Sequence, residues 1–198
     1  MTPDQRDELE RRIRSQVEAA ALEDAATQAL RGYGPEILGF LVNAANDEEL
    51  AVDAFSHFSE DLWRGLAGFR WEASLRTWAY TLARHALVRA ARSKRRDRNV
   101  GPLSTSAAEA IVAEVRTQTL TFLRTESRNK VATLRASLSS EEQMLLTLRV
   151  DRGLAWRDIA RVLGDFEAAP SNEALTRQVA TLRKRFERIK NRLRTIVA

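Results

Sequence analysis

Apolar residues recur along most of this 198-residue chain at steps of three and four, the period of a helix with one buried side. The clearest stretch runs from Ser171 to Ala198. Leu175, Val179, Leu182, Phe186, Ile189, Leu193 and Ile196 form one seam, and Arg177, Thr181, Lys184, Arg188 and Arg192 repeat at the same period on the other side. Just upstream, residues 153–164 (GLAWRDIARVLG) describe a short amphipathic helix with the small Ala160 inside it and Gly164 after it. Two helices, the second basic, joined by a turn that starts at glycine, have the form of a DNA-binding helix-turn-helix. An ordinary helical hairpin with a solvated basic face has the same periodicity, so the pattern alone leaves both open.

The same reading divides the rest of the chain. Residues 4–20 are charged with sparse apolar positions and predict a frayed or peripheral helix without chemistry. Glu23 to Leu30 predicts a short helix ended by Gly32-Tyr33-Gly34, with Pro35 in the first turn of a new one that carries Ile37, Leu38, Leu41 and Val42. Asn46 or Asp47 caps the next helix, which reaches about Leu66 with Leu50, Ala54, Phe55, Phe58 and Leu62 on one side. After the loop Ala67 to Ala73, Ser74 caps a long helix to about Asp97. Its buried face is Leu75, Ala79, Leu82 and Ala86; its opposite face is Thr77, Thr81, Arg84, Val88, Arg92 and Arg95. Arg89, Arg92, Lys94, Arg95, Arg96 and Arg98 crowd its end against one acid, the pattern of a solvated or phosphate-contacting face.

Asn99 to Thr105 is built of breakers and small polar residues and reads as a linker. Helices are expected at Ala107 to Arg124, with Ile111, Val115 and Leu120 as anchors, and at about Ser127 to Ala136. Ser139 with Glu142 forms a capping box ahead of Met144 to Leu148. The expected fold is all-α: two helical domains joined by a linker, the C-terminal one a helix-turn-helix. The boundaries are 1–98, 99–126 and 127–198.

Composition agrees with this and narrows the chemistry. Glycine (8) and proline (4) are scarce, as an all-helical chain requires. There is no cysteine, and the two histidines, His57 and His85, stand far apart without metal-ligand spacing. Gly32, Gly34 and Gly39 lack dinucleotide-loop spacing, and no serine lies in a nucleophile elbow. Hence no catalytic residue, cofactor or metal is expected. No signal peptide and no membrane-length apolar run is evident, so a soluble cytoplasmic protein without membrane insertion is the expectation. The net charge of +5 is uneven: residues 1–62 hold 14 acids against 5 bases, leaving the excess of cations to the remainder. That division suits one surface for nucleic acid and another for a different partner.

Taken in order, these segments resemble the bacterial sigma-70 family of RNA polymerase sigma factors, closest to the small extracytoplasmic-function type with two helical domains. Residues 51–63 resemble the family's helix that grips core RNA polymerase, which implies Asp53, Phe55, Ser56, Ser59, Glu60 and Trp63 as contacts. Ser56 and Ser59 stand where the family usually has Gln and Phe. Ser74 to Arg84, with its Thr77-Trp78 pair, resembles the promoter-melting segment, and Arg92 to Arg96 its basic tail. This implies that Phe69, Arg70, Trp71, Arg76, Thr77, Trp78, Thr81, Arg84, His85 and Arg92 handle the −10 element. His85 replaces a usual Asn and Arg89 a usual Asp.

Gly153 to Gly164 is similar to the first helix of the family's helix-turn-helix, and residues 181–188 to its recognition helix. This implies Thr181, Arg183, Lys184, Arg185 and Arg188 at the −35 element, with Arg177 and Gln178 as extra contacts. The stretch from Gly164 to Thr181 is about a dozen residues longer than the family's, so either the recognition helix starts early, near Ser171, or an extra loop intervenes. The implied partners are core RNA polymerase, promoter DNA and an anti-sigma factor that nothing in the sequence identifies. Two other readings share the helical pattern: a stand-alone helix-turn-helix regulator, and a helical adaptor that binds only protein.

Overall fold

A computed structural model describes residues 1–94, 106–126, 137–166 and 169–197. The expected linker 99–105, the cations Arg95, Arg96 and Arg98, and the helix expected at 127–136 lie outside them. The described residues form α1 (Pro3–Glu18), α2 (Leu22–Ala45), α3 (Glu48–Gly65), a 3₁₀ turn (Leu66–Gly68), α4 (Leu75–Lys94), α5 (Ser106–Glu126), α6 (Ser140–Leu146) running into a wide π-type turn (Thr147–Asp151), α7 (Trp156–Leu163) and α8 (Asn172–Val197). Strands are absent among the described residues, and the fold is all-α.

Side chains set most of the helix starts by satisfying first-turn N–H groups that have no partner within the helix. Asp47 accepts from the Leu50 N–H at 3.0 Å and Ser74 from the Thr77 N–H at 3.0 Å. Ser139 and Glu142 make the expected reciprocal capping box. Thr2 and Gln5 make another at the start of α1, with Pro3 in its first turn. The peripheral helix expected at 4–20 is therefore not frayed. It is capped, and its Ile13 is fully buried.

The break expected at Gly32–Gly34 does not occur: α2 runs unbroken through Pro35. Proline removes one intrahelical hydrogen bond, but burial outweighs that loss. Leu30, Tyr33, Ile37, Leu38, Phe40 and Leu41 are all fully buried. The two glycines serve packing rather than termination. A side chain at Gly32 would run into Leu9 of α1, and a Cβ at Gly34 would lie 2.9 Å from Val115 of α5. α2 is thus the central helix, touched by α1, α3, α4, α5 and α6. The stretch 106–126, expected to belong with the linker, packs through Ile111, Val112 and Val115 on this first helical group.

The C-terminal helices share the same buried core. α6 lies on α2 and α7 lies on α4. One buried polar cluster ties them together. The Arg76 guanidinium of α4 bonds Glu36 of α2 at 2.6 and 3.2 Å and donates to the Arg152 carbonyl just after the π-type turn at 3.1 Å. The Arg152 side chain in turn occupies the space left open at Gly39 of α2. Burial and the nearby Glu10 carboxylate push the Tyr33 phenol beside this cluster far above its ordinary pKa, so it stays a neutral donor.

Removing one member of a buried ion pair leaves the other charge uncompensated. Arg76→Ala is therefore expected to lower stability by about 3–5 kcal/mol, and an apolar replacement of both Arg76 and Glu36 to recover much of it. Urea unfolding of the single and double variants measures the difference.

Candidate nucleic-acid interface

Between the 3₁₀ turn and α4, the loop gathers its aromatic residues into a stack. Phe69 lies parallel to Trp78, with ring centres 4.7 Å apart, and against Trp71 at 4.9 Å. Trp78 rests on Gly65, where a Cβ would come within 3.0 Å of its ring. The Arg14 guanidinium from α1 caps the far end, 5.5 Å from the Trp71 ring. Trp71 itself has φ of +57°, a left-handed conformation that side chains rarely adopt. Phe69, Trp71 and Trp78 are each half-buried, and Arg70 is exposed at the loop's edge. Flat rings held half in water offer faces on which unpaired bases stack.

Not every residue expected at this surface is accessible. Arg76 is buried in its ion pair, and Thr77 is buried with its hydroxyl beside Ser74 at 2.8 Å. Both turn inward because Arg76 must neutralise Glu36 and Thr77 closes the first turn of α4. Thr81 and His85 line a cleft of about 480 Å³ with Phe69, Arg70 and Trp78. Its opposite wall is the end of α7 and the turn after it: Arg161, Gly164, Phe166, Ala169 and Pro170. Arg84 bonds Asp165 of that turn at 2.5 Å and is only 11% exposed. Arg92 is exposed further along α4. Sequence periodicity could not show that the helix-turn-helix covers this face, because Asp165 and Phe166 carry no spacing signal toward α4.

In the C-terminal part, α8 begins at Asn172, with Ser171 accepting from the Ala174 N–H at 3.2 Å. Of the two alternatives for the long stretch before Thr181, the early start holds. Leu175, Leu182 and Ile189 are buried, and Val179, Phe186 and Leu193 pack beside them, so the seam faces α7 and α6 as its period implied. Gly164 is required at the turn, because a Cβ there would meet the Phe166 ring and lie 2.7 Å from the Ala160 carbonyl oxygen.

Arg177, Thr181, Arg183, Lys184 and Arg188 point into solvent, while Gln178 and Arg185 are partly covered. Two of the arginines on α8 are held by acids of α6: Arg185 by Glu141 at 2.6 Å and Arg192 by Glu142 at 2.7 Å. Glu142 is partly buried, which on its own raises its pKa, but Arg192 and the Ser139 N–H outweigh that and hold the carboxyl below its ordinary value. Arg183 also lies over the Trp156 ring, which Arg149 covers at 5.1 Å.

On α3, Asp53 is exposed and Ser56, Glu60 and Trp63 are half-exposed along one side. Phe55 is fully buried and Ser59 nearly so, its hydroxyl bonded to the Phe55 carbonyl at 2.8 Å. These two, expected as partner contacts, face the core instead, because they fall on the apolar side of the helix period.

Known proteins share part of this arrangement. The family description "Sigma-70 region 2" matches residues 29–97, which takes in α3, the aromatic loop and α4. The chain is 29% identical to RNA polymerase sigma factor YlaC of Bacillus subtilis over 162 residues, covering 81% of this chain and 91% of that protein. It is 26% identical to the RNA polymerase sigma-H factor of Pseudomonas aeruginosa over 136 residues, covering 66% and 70% of the two chains. No solved structure matches it. Residues 29–97 thus resemble sigma-70 region 2, and the larger part of the chain is similar to two RNA polymerase sigma factors.

Partial burial, and after it the Arg84 guanidinium, hold the His85 imidazole below its ordinary pKa, while Asp165 raises it. Folding therefore favours neutral His85; its contribution is complete above the unfolded value and is lost as pH falls through the folded one. Asp165→Ala is expected to lower the His85 pKa further in an NMR titration. An unchanged value would mean that the turn after α7 does not sit on α4 in solution.

Proposed function

We propose that this chain is a promoter-specificity factor. It binds core RNA polymerase through the open side of α3, holds the −10 element as a single strand on the aromatic loop and α4, and reads the −35 element with α8. The observation that carries the reading is the coincidence of the region-2 match with the Phe69–Trp71–Trp78 stack beside a cationic helix. Opening a duplex requires unstacked bases to be held, and aromatic faces supply that at about 1–3 kcal/mol per base. Such a role needs no catalytic group, cofactor or metal of its own. Its place is the bacterial cytoplasm, and among the described residues no helix is long and apolar enough to cross a membrane. An anti-sigma factor fits as a partner that would mask these surfaces.

The core-binding surface reduces to Asp53, Ser56, Glu60 and Trp63, since Phe55 and Ser59 are inside. The −10 surface reduces to Phe69, Arg70, Trp71, Trp78, Thr81, Arg84, His85 and Arg92. On the −35 side, the early start of α8 moves its N-terminal turns to Asn172–Arg177, and Thr181 falls about 2.5 turns in. Base edges are ordinarily reached from a recognition helix's N-terminal part. The geometry therefore favours Arg177 and Thr181 as base readers and Arg183, Lys184, Arg185 and Arg188 as cations toward the backbone.

Run-off transcription with purified core polymerase tests the function as a whole: transcripts from a cognate promoter are expected only when the chain is added. Binding of a palindromic duplex by the chain alone would favour the stand-alone regulator, and no DNA binding with or without core at any salt would favour the adaptor. Reversing the charge of Asp53 together with Trp63→Ala is expected to weaken co-purification with core while leaving the fold intact. Arg177→Ala is expected to reduce affinity of the core complex for a matched −35 duplex by about 1–3 kcal/mol and for a scrambled one much less. Arg188→Ala should weaken both alike and reduce the salt slope by about one unit.

A further inference from the structure

α1 lies outside the matched region 29–97, yet two of its charged residues reach the aromatic loop and the start of α4. Glu10 and Arg14 stand four residues apart on one side of α1, the spacing at which a Glu and an Arg ordinarily bridge each other. Here each reaches a different partner. Glu10 Oε1 accepts from the Arg76 backbone N–H at 3.0 Å and from the Tyr33 hydroxyl at 3.0 Å. The Arg76 N–H is one of the first-turn donors of α4, and Ser74 already takes the Thr77 N–H. Glu10 therefore completes the cap of α4 from another helix and places a negative charge at the positive end of that helix.

One turn further along α1, Arg14 covers the outer face of Trp71. A positive φ such as that of Trp71 persists where the surroundings overdetermine it, and its ring is packed by Phe69 and by Arg14. The seating of α1 is itself prepared by the burial of Ile13 and the contact of Leu9 with Gly32.

We propose that α1 is a positioning element of the −10 site: Glu10 fixes where α4 begins, Arg14 fixes the ring of Trp71, and together they present the loop already bent to the single promoter strand. This rests on the reading of the loop and α4 as the −10 surface. Neither residue need touch the DNA. Their effect is to remove the ordering cost that a loose loop would meet on binding.

The test uses the full-length chain in complex with core polymerase and a −10 single strand carrying 2-aminopurine, whose fluorescence reports stacking on the loop. Glu10→Ala is expected to weaken strand binding ~10-fold, chiefly through the loss of the charge-assisted hydrogen bond that caps the Arg76 N–H, with core co-purification unchanged. Glu10→Gln keeps the accepting oxygen and is expected to restore most of the binding. Arg14 is 57% exposed, so Arg14→Ala leaves the core packing alone and is expected to weaken the strand signal severalfold, with Arg14→Lys intermediate. Arg11→Ala, at 75% exposure, is the control and should behave as wild type.

Equal losses of strand binding and core binding in both alanine variants would reduce α1 to a fold-holding role and overturn the proposal, as would strand binding at the wild-type level in both. If Glu10→Ala does not fold, Arg14→Ala decides alone, and an unchanged strand signal there overturns the proposal. Failure of the wild-type chain to bind core or strand would instead strike the functional reading beneath it.

Discussion

The structure depends first on a buried charge. Arg76 sits at the start of α4, turned inward, and its guanidinium is shared between Glu36 on α2 and the Arg152 carbonyl after the π-type turn. A cation taken out of water is costly unless its hydrogen-bonding capacity is met. Desolvation alone would lower the Arg76 pKa, but its bond to Glu36 outweighs this and holds the pKa above the ordinary arginine value. Because its partners come from two distant parts of the chain, meeting that requirement fixes α4 on α2 and the C-terminal group on both. The same residue's backbone N–H goes to Glu10, which brings in α1 as well.

Around that point α1, α3, α4, α5 and α6 all pack on α2, and α3 packs closely on α4 as well. The glycines of α2 make room for α1, α5 and Arg152, and its apolar side chains fill the remaining directions. A helix surrounded in this way tolerates a proline at position 35, because the contacts around it determine its path. The aromatic loop inherits this rigidity, being anchored at the 3₁₀ turn after α3 and at the doubly capped start of α4.

Several of the cations that would meet DNA are held by carboxylates: Arg84 by Asp165, Lys94 by Asp47, Arg89 by Asp61, Arg185 by Glu141 and Arg192 by Glu142. Pairs at a surface contribute about 0–1 kcal/mol each, so a phosphate can replace the carboxylate at small cost. On the proposed reading, the acids would keep this basic surface compatible with a folded, docked chain until a polyanion displaced them. On the same reading, a strand held on α4 would have to displace α7 and the turn after it from the face they cover.

How much of this was legible in the sequence follows from the range of the interactions. The all-helical class, the caps at Asp47, Ser74 and Ser139, and the seam of α8 were readable, because they depend on period and on side chains within a few residues of one another. The order of motifs, by resemblance, pointed to the sigma-70 family, whose region 2 matches residues 29–97. Where contacts between distant segments decide the outcome, local reading failed. Gly32 and Pro35 look like a break until Leu9 and the surrounding core are in place. Residues 4–20 look peripheral until Glu10 meets Arg76 and Arg14 meets Trp71. Arg76 and Thr77 look like DNA contacts, and Phe55 and Ser59 like partner contacts, until burial turns them inward. Hydrophobic periodicity records which side of a helix is hidden, but not which helix hides it; only the tertiary structure, by bringing Asp165 to Arg84 and Glu36 to Arg76, decided which charges pair and which stay open.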